Sequence, residues 1–433
     1  MIFDKKHECM SREDMRALQS ERLVKLVKRV YENNAVYRKK MDELGVKPED
    51  IKGIDDVTKL PFTVKKDLRD GYPFGMLTSP KKDIVRLHAS SGTTGKLTVA
   101  CHTASDIDLW SDMAARCIGM TGADQEDIVH VSYGYGLFTG GLGLHYGSER
   151  FGSMTVPCSS GNTGKQIQLL KDFGATVIAC TPSYAIYISD HLESEGVKPE
   201  ELSLKYGIFG AEPWSNEMRK EIERRLHIKA FDIYGLSEIM GPGVAMECEE
   251  QNGLHFNEDH FYPEIVDPDT LKPLPDGEYG ELVITTLTKE GMPLIRYRTR
   301  DITKITREKC ACGRTLARIE RITGRSDDML IIRGVNVFPS QIESVLMSIG
   351  DEILPYYQII VDRQGALDTF EIQVEINEKL FSDEVKKLQD LQKRIEKEML
   401  ANLSVGPKIT LVSPNTIARS EGKAKRIIDK RKK

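Results

Sequence analysis

Asp83-Ile84-Val85-Arg86-Leu87-His88-Ala89-Ser90-Ser91-Gly92-Thr93-Thr94-Gly95-Lys96-Leu97-Thr98-Val99-Ala100-Cys101 reads as strand, glycine-rich loop, strand. The flanks mix polar and β-branched residues, and the centre holds Ser90, Ser91, Thr93 and Thr94 with Gly92, Gly95 and Lys96. Glycine tolerates positive φ and lets backbone come close to a ligand. Successive N–H groups, hydroxyls and an ammonium suit an anion, above all a polyphosphate. The same residue types also build an ordinary hairpin turn, so the stretch alone leaves both readings open. A Walker loop does not fit, because it needs Gly-x-x-x-x-Gly-Lys followed by Ser or Thr and then a helix. Here Ser90 stands where the first glycine would be, Leu97 follows Lys96, and a strand-like run comes next.

Downstream, apolar strand-like runs alternate with helical stretches. Strands are expected at 128–131, 153–157, 176–180, 204–209 and 229–233, with helices near 104–122, 165–173, 184–194 and 215–226. Alternation of this kind means a mostly parallel sheet covered on both faces. Two helices are expected within 11–45, where Leu18, Leu23, Leu26, Val27 and Val30 recur at helical spacing. From about 254 to 322 the chain turns strand-rich and barrel-like, punctuated by turns such as Pro273-Leu274-Pro275-Asp276-Gly277. A compact α+β unit follows, of a size usual for a domain. The fold class is therefore α/β, with a large domain over 1–326 and a small α+β domain over 327–433.

The 433 residues are too many for one ordinary core. A net charge of −5 makes no electrostatic case for nucleic acid or a membrane surface. No apolar run reaches the length of a membrane span, and no apolar segment follows the charged Met1–Lys6. A cytoplasmic protein is expected, whose eight cysteines are thiols or metal ligands rather than disulfides.

Three strand ends carry glycine with aromatic or acidic residues. Tyr133-Gly134-Tyr135-Gly136-Leu137-Phe138-Thr139-Gly140-Gly141 follows a parallel strand, at the end where open α/β sheets bind ligands. It could form a flat apolar slot or merely a packed glycine-rich loop. Phe209-Gly210-Ala211-Glu212-Pro213 and Ile233-Tyr234-Gly235-Leu236-Ser237-Glu238 each set a glycine and an acid at a strand end. Tyr234 can stack on a ring, and Glu238 is a hard oxygen ligand suited to Mg²⁺, or else a simple surface carboxylate. Asp301, in Tyr297-Arg298-Thr299-Arg300-Asp301, could accept both hydroxyls of a ribose or stand exposed. Gly324-Arg325-Ser326-Asp327-Asp328 marks the last domain boundary, and Arg419-Ser420-Glu421-Gly422-Lys423 presents a lysine near the C-terminus. A polar linker and a solvated basic tail are the plain alternatives for these two.

In this order, the motifs resemble those of the acyl-adenylate-forming superfamily, which includes acyl- and aryl-CoA ligases, luciferases and adenylation domains. The resemblance covers nearly the whole chain, and its motifs together are highly specific. It implies ATP-dependent ligation of an aryl acid, phenylacetate or a close analogue, to coenzyme A through an acyl-AMP. An enzyme that adenylates another carboxylate or loads a carrier-protein thiol, or a nucleotide sensor without turnover, stays open. Ser90, Ser91, Gly92, Thr93, Thr94, Gly95 and Lys96 would hold the β- and γ-phosphates of ATP. Gly210, Ala211, Glu212 and Pro213 would flank adenine, with Asp232, Tyr234, Gly235 and Ser237 beside them. Glu238 would take Mg²⁺, Asp301 the ribose, Arg325 the ribose or phosphate, and Asp327 would be a hinge. Lys423 would stabilise charge as the carboxylate attacks, while Tyr133, Phe138 and Gly140 would line the aryl pocket. A homodimer is implied by the resemblance alone. One departure is Ala418, where relatives often carry proline, which could loosen the lysine loop.

Cys248 with His255, and Cys310 with Cys312, form a separate pair of pairs in the strand-rich region. Two such pairs suit a tetrahedral, structural Zn²⁺ with no open position, although Cys-x-Cys is a less common spacing than Cys-x-x-Cys. Unrelated buried thiols are the alternative.

Overall fold

The structure, a computed structural model, describes residues 1–90, 97–322, 324–326, 329–332, 335–364, 367–381 and 385–431. It opens with α1 (Lys5–Glu8), α2 (Arg12–Asn33) and α3 (Ala35–Glu43). Ser11 caps α2 by accepting from the Asp14 amide, and Asn34 ends α2 while capping α3. Met15, Gln19, Leu23, Leu26, Val27 and Val30 form the buried stripe of α2 at helical spacing. After α4 (Lys65–Asp70), β1 (Ile84–Ser90) and β2 (Thr98–Thr103) pair as an antiparallel hairpin. Both flanking strands of this stretch form as expected, while residues 91–96 between them lie outside the described residues.

The centre of the molecule is one large sheet. Helices α5 (Ala104–Met120), α6 (Thr139–Phe151), α7 (Thr163–Asp172), α8 (Pro182–Ser194) and α9 (Asn216–Leu226) connect β3 (Ile128–Val131), β4 (Met154–Val156), β5 (Val177–Cys180), β6 (Tyr206–Gly210) and β7 (Lys229–Leu236). These five strands run parallel in the order β4-β3-β5-β6-β7. All four residues of β5 are buried, as a strand covered on both faces requires.

Helix α6 begins inside the aromatic–glycine stretch that reads as a loop. Its glycines are packing devices: a Cβ at Gly143 would lie 2.6 Å from the Trp110 ring, and one at Gly147 2.4 Å from Ala114 Cβ. Glycine is a poor helix former, so propensity hides a helix whose glycines let it press against α5.

The strand-rich region divides between two sheets. Strands β8 (Gly241–Glu247), β9 (Leu254–Phe256), β13 (Ile305–Thr306) and β14 (Arg318–Ile319) extend the large sheet antiparallel beyond β7. Strands β10 (Phe261–Val266), β11 (Gly280–Thr286), β12 (Tyr297–Thr303) and β15 (Gly324–Arg325) make a separate antiparallel sheet. The register of β12 on β15 sets Asp301 opposite Arg325.

The C-terminal unit has its own core around Ile359, Ile372, Ile395 and Met399. A hairpin of β16 (Leu330–Ile332) and β17 (Val335–Val337) leads to α10 (Pro339–Ser348), β18 (Ile353–Gln364), β19 (Leu367–Ile376), α11 (Glu378–Phe381), α12 (Val385–Leu403), β20 (Lys408–Val412) and β21 (Ile427–Asp429). The sheet order is β20-β19-β18-β21. The lysine-bearing loop therefore crosses from one edge of this sheet to the other. Among the described residues no helix is long and apolar enough to cross a membrane.

Candidate active site

The ends of β6 and β7 bring backbone close to backbone. A Cβ at Gly210 would lie 2.3 Å from the Ile233 carbonyl oxygen, and one at Gly235 1.8 Å from that of Gly241. Only glycine fits either place, and Ala211 follows at φ +71°. Asp301 and Arg325, expected at the ribose, meet Tyr234, expected beside adenine. Tyr234 Oη donates to Asp301 Oδ2 at 2.6 Å, and Arg325 Nη1 stands 3.6 Å from Asp301 Oδ1. Burial beside the Asp301 carboxylate holds the Tyr234 phenol well above its ordinary range, so it stays a donor. Asp232 lies buried below, with Arg321 Nε 3.2 Å from its Oδ2. Burial, together with the Glu247 carboxylate, pushes Asp232 upward against the pull of the Trp214 side chain and Arg219, to about 7.

Glu238 is buried, and its Oε1 is 3.2 Å from Lys65 Nζ. Its backbone carbonyl accepts from Lys289 Nζ at 3.0 Å, and that of Ile239 accepts from the same ammonium at 2.7 Å. Burial pulls Lys289 down to about 8. Ser237 Oγ is 3.2 Å from Thr139 Oγ1 at the start of α6. A hard carboxylate oxygen at a sheet end, facing a cation, fits a place where Mg²⁺ and phosphate would meet. Neither Lys65 nor Lys289 has a sequence signal that sets it apart from other lysines.

Of the phosphate-loop residues, Ser91, Gly92, Thr93, Thr94, Gly95 and Lys96 lie outside the described residues, as does Asp327. Ser90 is described. It pairs in register with Thr98, and both hydroxyl oxygens are buried without a hydrogen-bond partner among the described residues. Leu137 ties this hairpin to the aromatic–glycine loop: its carbonyl accepts from the Ala89 amide at 2.9 Å and from His88 Nδ1 at 3.1 Å. In that loop Tyr133 is buried, Phe138 is exposed, and their ring centroids are 6.3 Å apart. A Cβ at Gly140 would strike the Phe138 ring at 2.5 Å.

The lysine loop is seated on the large domain. Thr181 Oγ1 and Ser183 Oγ, at the start of α8, donate to the Gly422 carbonyl at 3.1 and 3.2 Å. Glu212 Oε1 accepts from the Ser183 amide and Oε2 from the Ala424 amide, both at 2.8 Å. Lys423 is thus held by its neighbours' backbone while its own side chain is exposed. Proline at 418 is not what holds this loop. Glu375 accepts from the Ile417 amide at 2.7 Å and from both Arg419 amino groups at 2.8 Å, and the Arg419 guanidinium stacks 3.3 Å over Tyr356. The helix expected at 184–194 begins two residues earlier, at Pro182 with Thr181 as its cap, and its engagement by a loop some 240 residues away has no sequence signal.

Cys248, His255, Cys310 and Cys312 do come together, their ligand atoms all within 4.8 Å of one another. Cys248 Sγ is 3.8 Å from Cys310 Sγ, and His255 Nε2 is 3.3 Å from Cys248 Sγ and 3.5 Å from Cys312 Sγ. Bonds of about 2.3 Å to sulfur and about 2.0–2.1 Å to nitrogen around a tetrahedral centre set sulfurs roughly 3.8 Å apart and sulfur roughly 3.6 Å from nitrogen. The three separations given above lie close to those values.

A family model described as AMP-binding enzyme matches residues 5–288, and one described as AMP-binding enzyme C-terminal domain matches 334–431. Phenylacetate-coenzyme A ligase of Thermus thermophilus is 50% identical over 100% of both chains. That of Escherichia coli is 49% identical over 98% of this chain and 97% of its own. Among solved structures, 2-hydroxyisobutyryl-CoA ligase in the postadenylation state, in complex with R3-HIB-AMP, superposes with a TM-score of 0.93 at 28% identity, covering 98% of this chain and 92% of that one. The same ligase in the thioesterification state gives 0.72 at 28% identity, over 99% and 92%. The arrangement described above therefore lies nearer the first state.

Proposed function

The chain belongs to the AMP-binding enzyme family as an AMP-forming acid–thiol ligase, and we propose that its acid is phenylacetate. The full-length identity to phenylacetate-coenzyme A ligases supports that acid. The observation that carries the mechanism is the seating of the Lys423 loop on Glu212, just past β6, and on the start of α8, while Tyr234 on the neighbouring β7 joins Asp301 and Arg325.

In the first step a carboxylate oxygen of the acid attacks the α-phosphorus of ATP. A new O–P bond forms and pyrophosphate leaves. Charge neutralisation and positioning carry such a step. Asp301, shared between Tyr234 and Arg325, would hold the ribose; Ser90 to Lys96 would cradle the departing phosphates; Lys423 would offset charge at the forming bond. Glu238 would hold Mg²⁺, which when bound spreads the phosphate charge. In the second step the thiol sulfur of coenzyme A attacks the acyl carbon, and AMP leaves with the bridging oxygen. Lys423 must be out of the way by then. A turn of residues 327–433 about Asp327, against 1–326, is how we read the exchange. The Cys248–His255–Cys310–Cys312 cluster holds a structural Zn²⁺ in this reading, because its four soft and borderline donors leave no open position. ATP and coenzyme A as co-substrates support a cytoplasmic setting, and family resemblance supports a homodimer.

The test is pyrophosphate release with a panel of carboxylates, with and without coenzyme A. Phenylacetate should lead the panel, and AMP should appear in full turnover only when coenzyme A is present. Equal rates for aliphatic and aryl acids would overturn the substrate, and turnover independent of coenzyme A would overturn the acceptor.

A further inference from the structure

His130, on β3, is fully buried and lies between Gln166 of α7 and Cys158. The Gln166 amide is fixed in orientation. Its Nε2 donates to the Ser159 carbonyl at 2.6 Å and to the Gly161 carbonyl at 3.1 Å, so Oε1 faces His130 Nε2 at 2.6 Å and Ser132 Oγ at 3.0 Å. A carbonyl oxygen only accepts, so His130 carries its proton on Nε2. Nδ1 is left as a bare lone pair, 3.7 Å from Cys158 Sγ. Nucleophile, base and a third group that orients the base is the arrangement that activates a thiol.

We propose that Cys158 is a site of covalent modification by α,β-unsaturated carbonyl compounds, with His130 as the base. The Cys158 sulfur bonds to the β-carbon of the acceptor. The double-bond electrons move to the α-carbon, which receives the thiol proton by way of His130 Nδ1, and no group leaves. Burial holds the Cys158 thiol above its ordinary range and His130 below its own. The thiol therefore stays protonated at neutral pH, and the ring stays neutral and able to take the proton.

The loop that follows gives the modification a consequence, which rests on the function proposed above. Ser159, Gly161 and Asn162 all have positive φ, at 66°, 91° and 51°. Ser159 Oγ accepts from the Tyr135 amide of the aromatic–glycine loop at 3.4 Å. A Cβ at Gly161 would stand 2.8 Å from Glu421 Oε2, on the loop that carries Lys423. An adduct on Cys158 would push this short loop into the lysine loop and block adenylation.

The experiment treats the full chain with less than one equivalent of N-ethylmaleimide at neutral pH and follows all cysteine peptides by mass spectrometry, beside acid-dependent pyrophosphate exchange. Cys158 should be labelled first, and exchange should fall in step with its occupancy. Cys158→Ser should keep exchange and lose sensitivity to the reagent. His130→Gln should slow labelling about tenfold or more, as loss of a positioned base does. Labelling led by Cys9 or Cys312, or an unchanged rate in His130→Gln, overturns the proposal. Full labelling of Cys158 with exchange intact removes the link to adenylation. The order of labelling in the unmutated chain decides the matter even if His130→Gln does not fold. Absence of exchange before treatment would count against the proposed function, not against the thiol site.

Discussion

Glu212 and Ala424 meet across the chain: Glu212 Oε2 accepts the Ala424 amide at 2.8 Å while its other oxygen accepts that of Ser183. One carboxylate thus pins the lysine loop to the start of α8. Hydrogen bonds to a charged group are worth about 1.5–3 kcal/mol. Glu212→Ala should slow acyl-AMP formation roughly ten- to a hundredfold. Conversion of supplied acyl-AMP to thioester should fall much less, because the loop need not be seated for it. Pyrophosphate exchange and single-turnover thioester formation measure the two, and equal losses would sink this role.

Lys423 itself makes a cleaner cut. The loop is held through the Gly422 carbonyl and the Ala424 amide, so removing the Lys423 side chain leaves the seating intact. Lys423→Ala should cost about 10²–10³ in adenylation, the usual loss when one positioned charge-stabilising group is removed. Thioester formation from supplied acyl-AMP should be spared. A variant that loses both steps alike would show that the lysine does something else.

Tyr234→Phe removes one hydroxyl and keeps the ring. Asp301 then loses its 2.6 Å donor and keeps Arg325 at 3.6 Å. The KM for ATP should rise about tenfold, as expected for one hydrogen bond to a charged group, and the KM for the acid should hold. Steady-state kinetics with each substrate varied in turn checks this. A rise confined to the acid would move Tyr234 out of the ribose site.

Most of the scaffold was legible because local pattern and tertiary structure agree. The alternation from Ile128 to Ile233 predicted a parallel sheet, and β3 to β7 form one. The motif residues Tyr234, Asp301 and Arg325 stand far apart in sequence and meet in space. What escaped was helix α6, whose Gly143 and Gly147 lower helix propensity to gain close packing on α5. Short β21 escaped too, since three residues carry no periodicity. Lys65 and Lys289 could not be found, because a lysine destined for Glu238 looks like any other until the chain is folded. The Cys/His cluster was found by residue type despite its odd spacing, since the turn at Cys310–Gly313 is closed by the Gly313 amide donating to the Cys310 carbonyl at 3.0 Å.

Lys289 should give a pH signature. Burial lowers it to about 8 in the folded chain, from an ordinary 10.5. Between those values the unfolded chain binds more protons than the folded one, so stability rises with pH. The contribution is fully present above about 10.5 and is lost as pH falls through about 8. Against Lys289→Met as reference, the native protein should gain up to about 3 kcal/mol across this window, at 1.36 kcal/mol per pKa unit. Urea denaturation of both proteins at several pH values reads the difference, and a flat difference would mean that the ammonium is solvated.

The zinc reading makes two demands that a chance meeting of thiols does not. Protein purified without chelators should hold one zinc per chain by elemental analysis, since the four donors form a single cluster. The metal should also shield the thiols: Cys248, Cys310 and Cys312 should resist a maleimide until a strong chelator is added, and then react together. Because a ligand bound only by the folded state adds about 4 kcal/mol at 1,000 times its dissociation constant, chelation should also lower the melting temperature by several degrees. The KM values should not move, since none of the four donors is among the residues assigned to ATP or the acid. Cys312→Ser should mimic the chelator in both respects. A metal-free protein, or a melting temperature indifferent to the chelator, would leave Cys248 and Cys310 as two ordinary buried thiols 3.8 Å apart.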